Sequence, residues 1–353
     1  MSATHWGCFT GSRERSGLRT IAVPICPLCG ARGRSLYRGL RDRLFAAPGI
    51  WNMVCCPAPQ CGLVWLDPMP ASDDVHLAYA RYYTHGDTRA RDGWLAWVFA
   101  SAKRGYVANH YSYDASAIDR LLGLLPWFYP GRVSELDFAV MWLHAGTRGR
   151  LLDIGAGSGW LVEHMAALGW QAEGLDFDAH AVEQARAKGV RMHLGGLLEQ
   201  HFTDARFDAV TMSHSIEHVH EPLAWLAEAR RILRPGGRLA LATPNTRSLL
   251  HRRFALHWFA LDPPRHLHLF NRAALQLALR KAGFERFRIW TSTRDANGAF
   301  LGSRSIRSSG CFDMLAPQAI ARRVAGRLFQ LVESAHLLID SDAGEDLVAL
   351  VER

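Results

Sequence analysis

The sequence predicts an α/β protein organised around a parallel, doubly wound β-sheet with helices on both faces. From residue 150 onward, short apolar runs alternate with segments of helical periodicity. Repeated crossovers of this kind require a parallel sheet, whose ligand should lie beyond the carboxyl ends of its strands. A chain of 353 residues with 49% hydrophobic content can bury a large core. We therefore expect one large α/β domain that carries smaller additions.

The predicted elements of this domain follow each other in regular order. Seven strands are expected: RLLDIG (150–155), QAEGLD (171–176), VRMHLG (190–195), FDAVTMSH (207–214), GRLALATPN (237–245), FRIWTST (287–293) and DLVALVER (346–353). Helices are predicted at 160–169, 179–189, 221–233 and 272–282. The string RPGGRL at 234–239 predicts a helix stop and a turn before the fifth strand.

A glycine loop follows the first strand, in the segment LLDIGAGSGW at 151–160. Glycines allow backbone conformations that a Cβ atom would block, and the next helix offers unpaired N–H groups at its N-terminus. The dinucleotide fingerprint G-x-G-x-x-G is not met, because Trp160 stands where its third glycine would be. An acid, Asp176, closes the second strand. The loop and the acid together predict a pocket for a nucleotide-like ligand.

The order of loop, acid, FDAV and RPGGRL resembles the class I S-adenosylmethionine (SAM) dependent methyltransferases. The resemblance implies a Rossmann-like sheet of seven strands, mostly parallel with the last strand antiparallel. In that family the glycine loop passes under the amino-acid end of SAM, and the acid holds the ribose hydroxyls. The implied SAM-binding residues are Asp153, Gly155, Ala156, Gly157, Gly159, Asp176, Phe177 and Ser213.

The segment after the fourth strand, Ser213 to His220, is the first place to look for catalytic groups. Its Glu217-His218 pair resembles the step found in quinone-biosynthesis O-methyltransferases. In those relatives a glutamate three residues earlier joins the pair in binding a divalent cation, whereas this chain has His214. His, Glu and His remain available as a ligand set. His218 could instead act as a base or shape the pocket, and the pair could simply cap the next helix.

A second catalytic candidate follows the fifth strand, in PPRHLHLF. His266 and His268 alternate along an extended segment, so their side chains point the same way. One of them could reach the acceptor of the methyl group. For His268, a hydrogen-bonded place in the core is an equal alternative.

Two cysteine pairs precede the α/β region and resemble a zinc ribbon. Cys26 and Cys29 form the first pair, Cys56 and Cys61 the second, and a glycine follows each pair. Four thiolates so placed bind Zn²⁺ tetrahedrally and leave no open position for water, so the metal should be structural. Cys55 competes with Cys56, but the Cys-Pro start shared by both pairs favours Cys56. Buried free cysteines are the alternative.

The predicted domain organisation has four parts. Residues 1–20 should form a disordered tail, 21–70 the zinc-ribbon-like module, 71–145 a helical linker or cap, and 146–353 the SAM-binding domain. An aromatic cluster in the linker, Tyr79, Tyr82 and Tyr83 with His85, could line a substrate site or pack between domains. The bend after Leu125 offers Trp127 and Phe128 as lid residues or core.

A helical insertion is expected at about 294–344, where residues 317–339 have an apolar face opposite arginines. Packing or a homodimer contact is favoured over weak contact with a membrane surface. No apolar run is long enough to span a bilayer, and no secretory signal is evident, so a cytoplasmic protein is expected.

The charge pattern narrows the range of molecules that could accept the methyl group. The net charge is +8, but the basic residues, almost all of them arginines, are scattered without a stripe, so a nucleic acid substrate is disfavoured. We expect methyl transfer to a hydroxyl or activated carbon of a small molecule, such as a sugar, lipid precursor or secondary metabolite. The alternatives are an RNA or protein methyltransferase that docks through the ribbon, and a SAM-binding scaffold without chemistry.

Overall fold

The computed structural model describes residues 18–79, 93–314 and 316–353. Tyr82, Tyr83 and His85, and residues 1–17 of the predicted tail, lie outside this part of the chain. The last residues of the predicted tail are ordered, which differs from the prediction. Leu18 is buried, and the backbone N–H of Arg19 donates to Asp74 Oδ2 at 2.8 Å. Thr20 begins the first strand.

The secondary structure is numbered here in chain order. The strands are β1 (Thr20–Ile21), β2 (Arg34–Leu40), β3 (Trp51–Cys55), β4 (Val64–Leu66), β5 (Met69–Pro70), β6 (Arg150–Ile154), β7 (Gln171–Asp176), β8 (Met192–Leu194), β9 (Phe207–Ser213), β10 (Leu233–Pro244), β11 (His268–Leu269), β12 (Arg286–Ser292) and β13 (Asp346–Glu352). The α-helices are α1 (Trp94–Tyr111), α2 (Ala117–Leu122), α3 (Pro130–Ala139), α4 (Trp160–Ala167), α5 (Ala179–Ala187), α6 (Pro222–Ile232), α7 (Leu249–Phe254), α8 (Arg272–Lys281), α9 (Ala296–Ser309) and α10 (Ile320–His336).

The central sheet has seven strands in the order β12-β13-β10-β9-β6-β7-β8. Neighbours pair in parallel from β10 to β8, whereas β13 runs antiparallel to both β10 and β12. This confirms the predicted doubly wound sheet and its antiparallel last strand. The carboxyl ends of β6, β7 and β9 therefore meet at one edge, where the glycine loop and Asp176 lie.

Two departures from the prediction concern the second half of the sheet. The predicted turn at 234–239 lies inside β10, which begins at Leu233; the pairing with β9 shifts register between Leu233 and Arg238. Gly236, with φ of +75°, absorbs this irregularity. The insertion contains a second helix, α9, that the sequence pattern did not indicate.

The N-terminal module shares its sheet and its core with the α/β domain. Strands β2, β3 and β4 are joined by β11, which follows β10 in the chain, so the second sheet has the order β11-β4-β3-β2. Leu28 and Trp65 of the module lie in one apolar cluster with Leu269 and Phe270. The module is therefore built into the domain and is not a separately folded unit on a linker.

The helices before the domain cover the opposite face of the central sheet. Side chains from α1 and α3, including Tyr106 and Leu136, form a second core with Leu151 of β6 and Val348 of β13. In the part of the chain that the structure describes, no helix is both long and apolar enough to cross a bilayer. Phe329 of α10 packs against the main core and stacks on Phe300, whereas many other apolar residues of this helix are exposed.

Candidate cofactor and acceptor sites

The glycine loop connects the end of β6 to the start of α4. Gly155, Gly157 and Gly159 have φ values of +79°, +51° and +75°, in the left-handed region that favours glycine. A Cβ atom on Gly155 would also lie 2.7 Å from Ser215 Cβ. The sequence therefore needs glycine here for conformation and for space, and the loop leaves its backbone open to a ligand, which fits SAM.

Asp176 at the end of β7 reaches back to hold this loop. Its Oδ2 accepts from the backbone N–H of Gly157 at 2.7 Å, and its Oδ1 accepts from Asp178 N–H at 2.9 Å. Burial raises the pKa of Asp176, while these N–H groups act in the opposite sense. Each oxygen keeps a further lone pair, so the carboxylate can also accept from the two hydroxyls of a ribose.

Asp153 lies deeper, buried between β6 and β9. It accepts a 2.7 Å hydrogen bond from Thr211 Oγ1, and burial raises the pKa of Asp153 to about 7. Ala156 of the loop is also nearly buried, whereas Ser213 at the end of β9 is half-buried. The structure thus places Asp153 as a support beneath the loop.

Three side chains in contact connect the end of β7, beside the glycine loop, to the histidines that follow β9. Phe177, which follows Asp176, is exposed, and its ring meets that of Tyr79 edge to face at 5.2 Å. Tyr79 ends a 3₁₀ helix at Ser72–Tyr79, and its hydroxyl lies 2.8 Å from His218 Nδ1. Of the aromatic cluster predicted in the linker, Tyr79 is therefore at the site.

His218 is held in one orientation by the backbone. Its Nδ1 faces two oxygens, the Tyr79 hydroxyl at 2.8 Å and the Arg265 carbonyl at 3.1 Å. In the tautomer that satisfies the carbonyl, which can only accept, Nδ1 donates the proton and Nε2 keeps its lone pair. The ring of His266 meets it at 4.7 Å, and His266 Nδ1 in turn lies 2.7 Å from Ala260 O. Burial and His266 lower the pKa of His218 to about 4, so it is neutral at physiological pH.

His214 has the opposite electrostatic character. Burial opposes its charge, but Asp295 and Glu217 raise the pKa of His214 well above its usual value. Its Nδ1 lies 3.2 Å from Glu217 Oε1, and Thr243 donates to Glu217 Oε2 at 3.0 Å. His214 is thus a cation that supports the buried Glu217 rather than a free base.

The structure regroups the predicted cation ligands. Glu217, His218 and His266 offer ligand atoms that all lie within 4.8 Å of one another, so His266 takes the place in which the sequence suggested His214. His214 forms a second such group with Asp295 and Asp346. Because β13 is antiparallel, its first residue, Asp346, comes to the carboxyl edge of β10, opposite Pro244.

Sequence reasoning missed Arg265, a buried residue that contacts several parts of the site. Its guanidinium is bidentate to Asp42 of the ribbon module, at 2.7 and 2.8 Å, and also bonds Asp262. It donates to the carbonyl of Ala78 as well, next to Tyr79. By contrast, His268 is a core histidine, fully buried with Nδ1 3.1 Å from Val219 O.

The four predicted zinc ligands converge between two tight turns. The Sγ atoms of Cys26, Cys29, Cys56 and Cys61 all lie within 4.8 Å of one another, and Cys55 is not part of the group. The Cys26 and Cys61 Sγ atoms are 3.7 Å apart. Tetrahedral ligation at about 2.3 Å separates sulfurs by about 3.8 Å, so the cluster fits Zn²⁺.

The chain is similar to known methyltransferases over part of its length. Residues 132–287 match the family model described as a methyltransferase domain. The chain is similar to a ubiquinone biosynthesis O-methyltransferase of Alkalilimnicola ehrlichii, with 32% identity over 118 residues, covering 31% of this chain and 48% of the relative. One from Xanthomonas oryzae pv. oryzae is 38% identical over 103 residues, covering 27% and 43%. The chain thus spans about half the length of these relatives or less.

Among solved structures, a SAM-dependent methyltransferase from Archaeoglobus fulgidus aligns with 63% of this chain and 93% of its own, at 17% identity and a TM-score of 0.43.

Proposed function

We propose that this chain, which belongs over residues 132–287 to the class I SAM-dependent methyltransferases, transfers a methyl group to a hydroxyl of a small molecule. The observation that carries the proposal is the contact chain Phe177, Tyr79 and His218, which joins the ribose-binding acid to a neutral histidine. A cofactor held at Asp176 and an acceptor held at His218 would therefore share one cleft.

His218 acts as the general base in this proposal. When bound, SAM supplies an electrophilic methyl group. His218 Nε2 would take the proton of the acceptor hydroxyl as the hydroxyl oxygen bonds the methyl carbon. The bond from that carbon to sulfur would break, and neutral S-adenosylhomocysteine would leave. Glu217 is buried beside His218, and its charge favours the imidazolium that forms. Because burial and His266 lower the pKa of His218 to about 4, it is a weak base suited to acidic hydroxyls, such as phenols and enols, rather than sugars.

The position of the ribbon module favours a small molecule over RNA or protein as the methyl acceptor. Its Asp42 pairs with Arg265, whose carbonyl orients His218, so the module forms part of the wall behind the base. A detachable docking domain for RNA or protein would not be buried in this way. We therefore propose that the parts of the chain differ in function but do not fold separately. They are a zinc-binding module that forms one wall of the site, a helical cap and the SAM-binding sheet.

The test is transfer of a labelled methyl group from SAM to a panel of phenols, enols and aliphatic alcohols. His218→Gln should lower kcat by about 100-fold or more, within the range for a general base, without weakening S-adenosylhomocysteine binding. Tyr79→Phe, which keeps the ring against Phe177, should have a smaller effect on kcat. Cofactor binding by the wild type without transfer to any acceptor would favour the scaffold alternative.

The same cluster could instead bind a divalent cation, because the ligand atoms of Glu217, His218 and His266 lie within 4.8 Å of one another. In that case turnover would depend on added Mg²⁺ and would be abolished by a chelator that leaves the zinc in place. Turnover that is insensitive to both additions would leave the base mechanism.

A further inference from the structure

The helix α10 has its apolar side outward and its polar side inward. The residues that it buries fully are Gly326, Gln330 and Glu333, and Phe329 beside them stacks on Phe300 at 4.7 Å. Leu328 and Val332, on the other side, are 57% and 58% exposed. Amphipathic helices of globular domains normally bury the apolar stripe. An exposed apolar stripe of this kind marks a surface that binds an apolar partner.

Specific contacts fix α10 in this orientation. Gln330 accepts a 2.6 Å hydrogen bond from the Tyr129 hydroxyl and donates to Thr293 O at 2.8 Å. Gly326 allows α9 to approach so closely that a Cβ atom would lie 2.0 Å from Asn297 Oδ1. Rotating the helix to bury its apolar side would break both hydrogen bonds and create a clash.

Exposed apolar residues also occur on the helical cap, which meets α10 through the contact between Tyr129 and Gln330. Tyr129, the partner of Gln330, follows the turn at 125–128, where Phe128 is 87% exposed. Trp127 of that turn packs beside Tyr106 of α1. Together these elements expose the following large apolar residues: Trp94, Leu95, Trp97, Phe99, Ile118, Leu121, Leu124, Leu125, Trp127, Phe128, Ile320, Val324, Leu328, Leu331, Val332, Leu338 and Ile339. We name this set the cap surface.

The exposed charges on α1, on the segment 117–128 and on α10 have one sign. Within 94–111, 117–128 and 320–336, the acidic residues are Asp119 and Glu333, and both are buried. The exposed charged residues in these segments are basic: Lys103, Arg104, Arg120, Arg322, Arg323 and Arg327. Exposed tryptophans with basic residues and without exposed acids form the pattern of surfaces that lie in the headgroup region of a bilayer.

We propose that the cap surface docks the protein on an anionic lipid bilayer, with the apolar side of α10 in the headgroup region. A second copy of this chain is the competing occupant. It would bring two sets of these arginines together across a two-fold axis, without exposed acids in the same segments to pair with them. An anionic lipid surface supplies the negative charge that such a dimer lacks.

The experiment is sedimentation of the full chain with vesicles of phosphatidylcholine, with and without about 30 mol% phosphatidylglycerol. The wild type should bind the anionic vesicles at least about tenfold more tightly, and salt at about 0.5 M should weaken that binding. Leu328→Asp with Val332→Asp should reduce binding by about tenfold or more. Arg322→Gln with Arg323→Gln should reduce it by about 25-fold, at roughly fivefold per arginine.

The matched control is Ile50→Asp, because Ile50 is 59% exposed but lies in the ribbon module. It should bind vesicles as the wild type does, and circular dichroism should show that every variant is folded. Wild-type protein that does not bind anionic vesicles would overturn the proposal. So would α10 variants that bind normally, or a wild-type dimer in analytical ultracentrifugation that the α10 variants dissociate while no vesicle binding occurs.

Discussion

Replacing Asp176 by alanine is the most direct test of the cofactor site. The carboxylate accepts from Gly157 N–H at 2.7 Å and from Asp178 N–H at 2.9 Å, so it holds the loop as well as any ribose. Hydrogen bonds to a charged group contribute about 1.5 to 3 kcal/mol each. Loss of two ribose hydroxyl contacts should therefore weaken S-adenosylhomocysteine binding by about 3 kcal/mol or more, which is about 100-fold in Kd.

The assay is calorimetric titration with S-adenosylhomocysteine, and Asp178→Ala is the matched control. Asp178 caps α5 by accepting from His180 N–H at 2.9 Å and from Ala181 N–H at 3.4 Å. Its removal should cost about 1 kcal/mol of stability and leave Kd within about threefold. The reasoning is wrong if Asp176→Ala binds as tightly as the wild type, or if Asp178→Ala loses as much affinity.

The pH dependence of the same titration gives an independent check. Burial raises the pKa of Asp176, so it takes up a proton at a higher pH than an ordinary aspartate as the solution is acidified. A protonated carboxyl accepts fewer hydrogen bonds from ribose. Affinity for S-adenosylhomocysteine should therefore fall on acidification from neutral pH, and Asp176→Ala should not show this fall.

Three further predictions concern stability. Arg265→Leu leaves Asp42 buried without its partner and should lower the free energy of unfolding by about 3 to 5 kcal/mol; an unchanged urea midpoint would contradict this. Cys26→Ser should lose the zinc and lower the melting temperature of the whole chain in one transition, because the ribbon shares the main core; wild-type protein without about one zinc per chain would contradict the site. Burial and the charge of Asp346 raise the pKa of Glu333 to about 9, so its contribution to stability is full below the ordinary carboxyl pKa and is lost as pH rises to about 9. Glu333→Gln mimics the protonated form and should flatten the melting temperature over that range, and a variant that follows the wild-type curve would show that Glu333 does not titrate there.

The sheet could be predicted because its signals are local. Each parallel strand shows an apolar run followed by glycine or an acid, and the crossover rule then brings Asp176 and the glycine loop to one edge. The bulged start of β10 was missed because RPGGRL has the composition of a turn, and pairing with β9 and β13 overrides that local preference. Helix α9 was missed because its sequence, ANGAFLGSRSIRSS, is rich in Gly and Ser.

The acceptor side depends on contacts between distant parts of the chain. Arg265 and Asp42 are 223 residues apart, and Tyr79 meets His218 across 139 residues. Arginine and aspartate are common on surfaces, so neither carries a signal of burial in one sequence. Asp346 was within reach of reasoning, because an antiparallel last strand must bring its first residue to the edge where the parallel strands end.

The electrostatics of the two histidines follow from this topology and decide their roles. His214 and His218 are four residues apart, yet the pKa of His214 is raised well above its usual value and that of His218 is lowered to about 4. The difference arises because His214 faces Asp295, which follows β12, and Glu217, whereas His218 is buried against His266. Residue type alone could not assign a base between them. The strand order at the edge of the sheet is what favours His218 in our proposal.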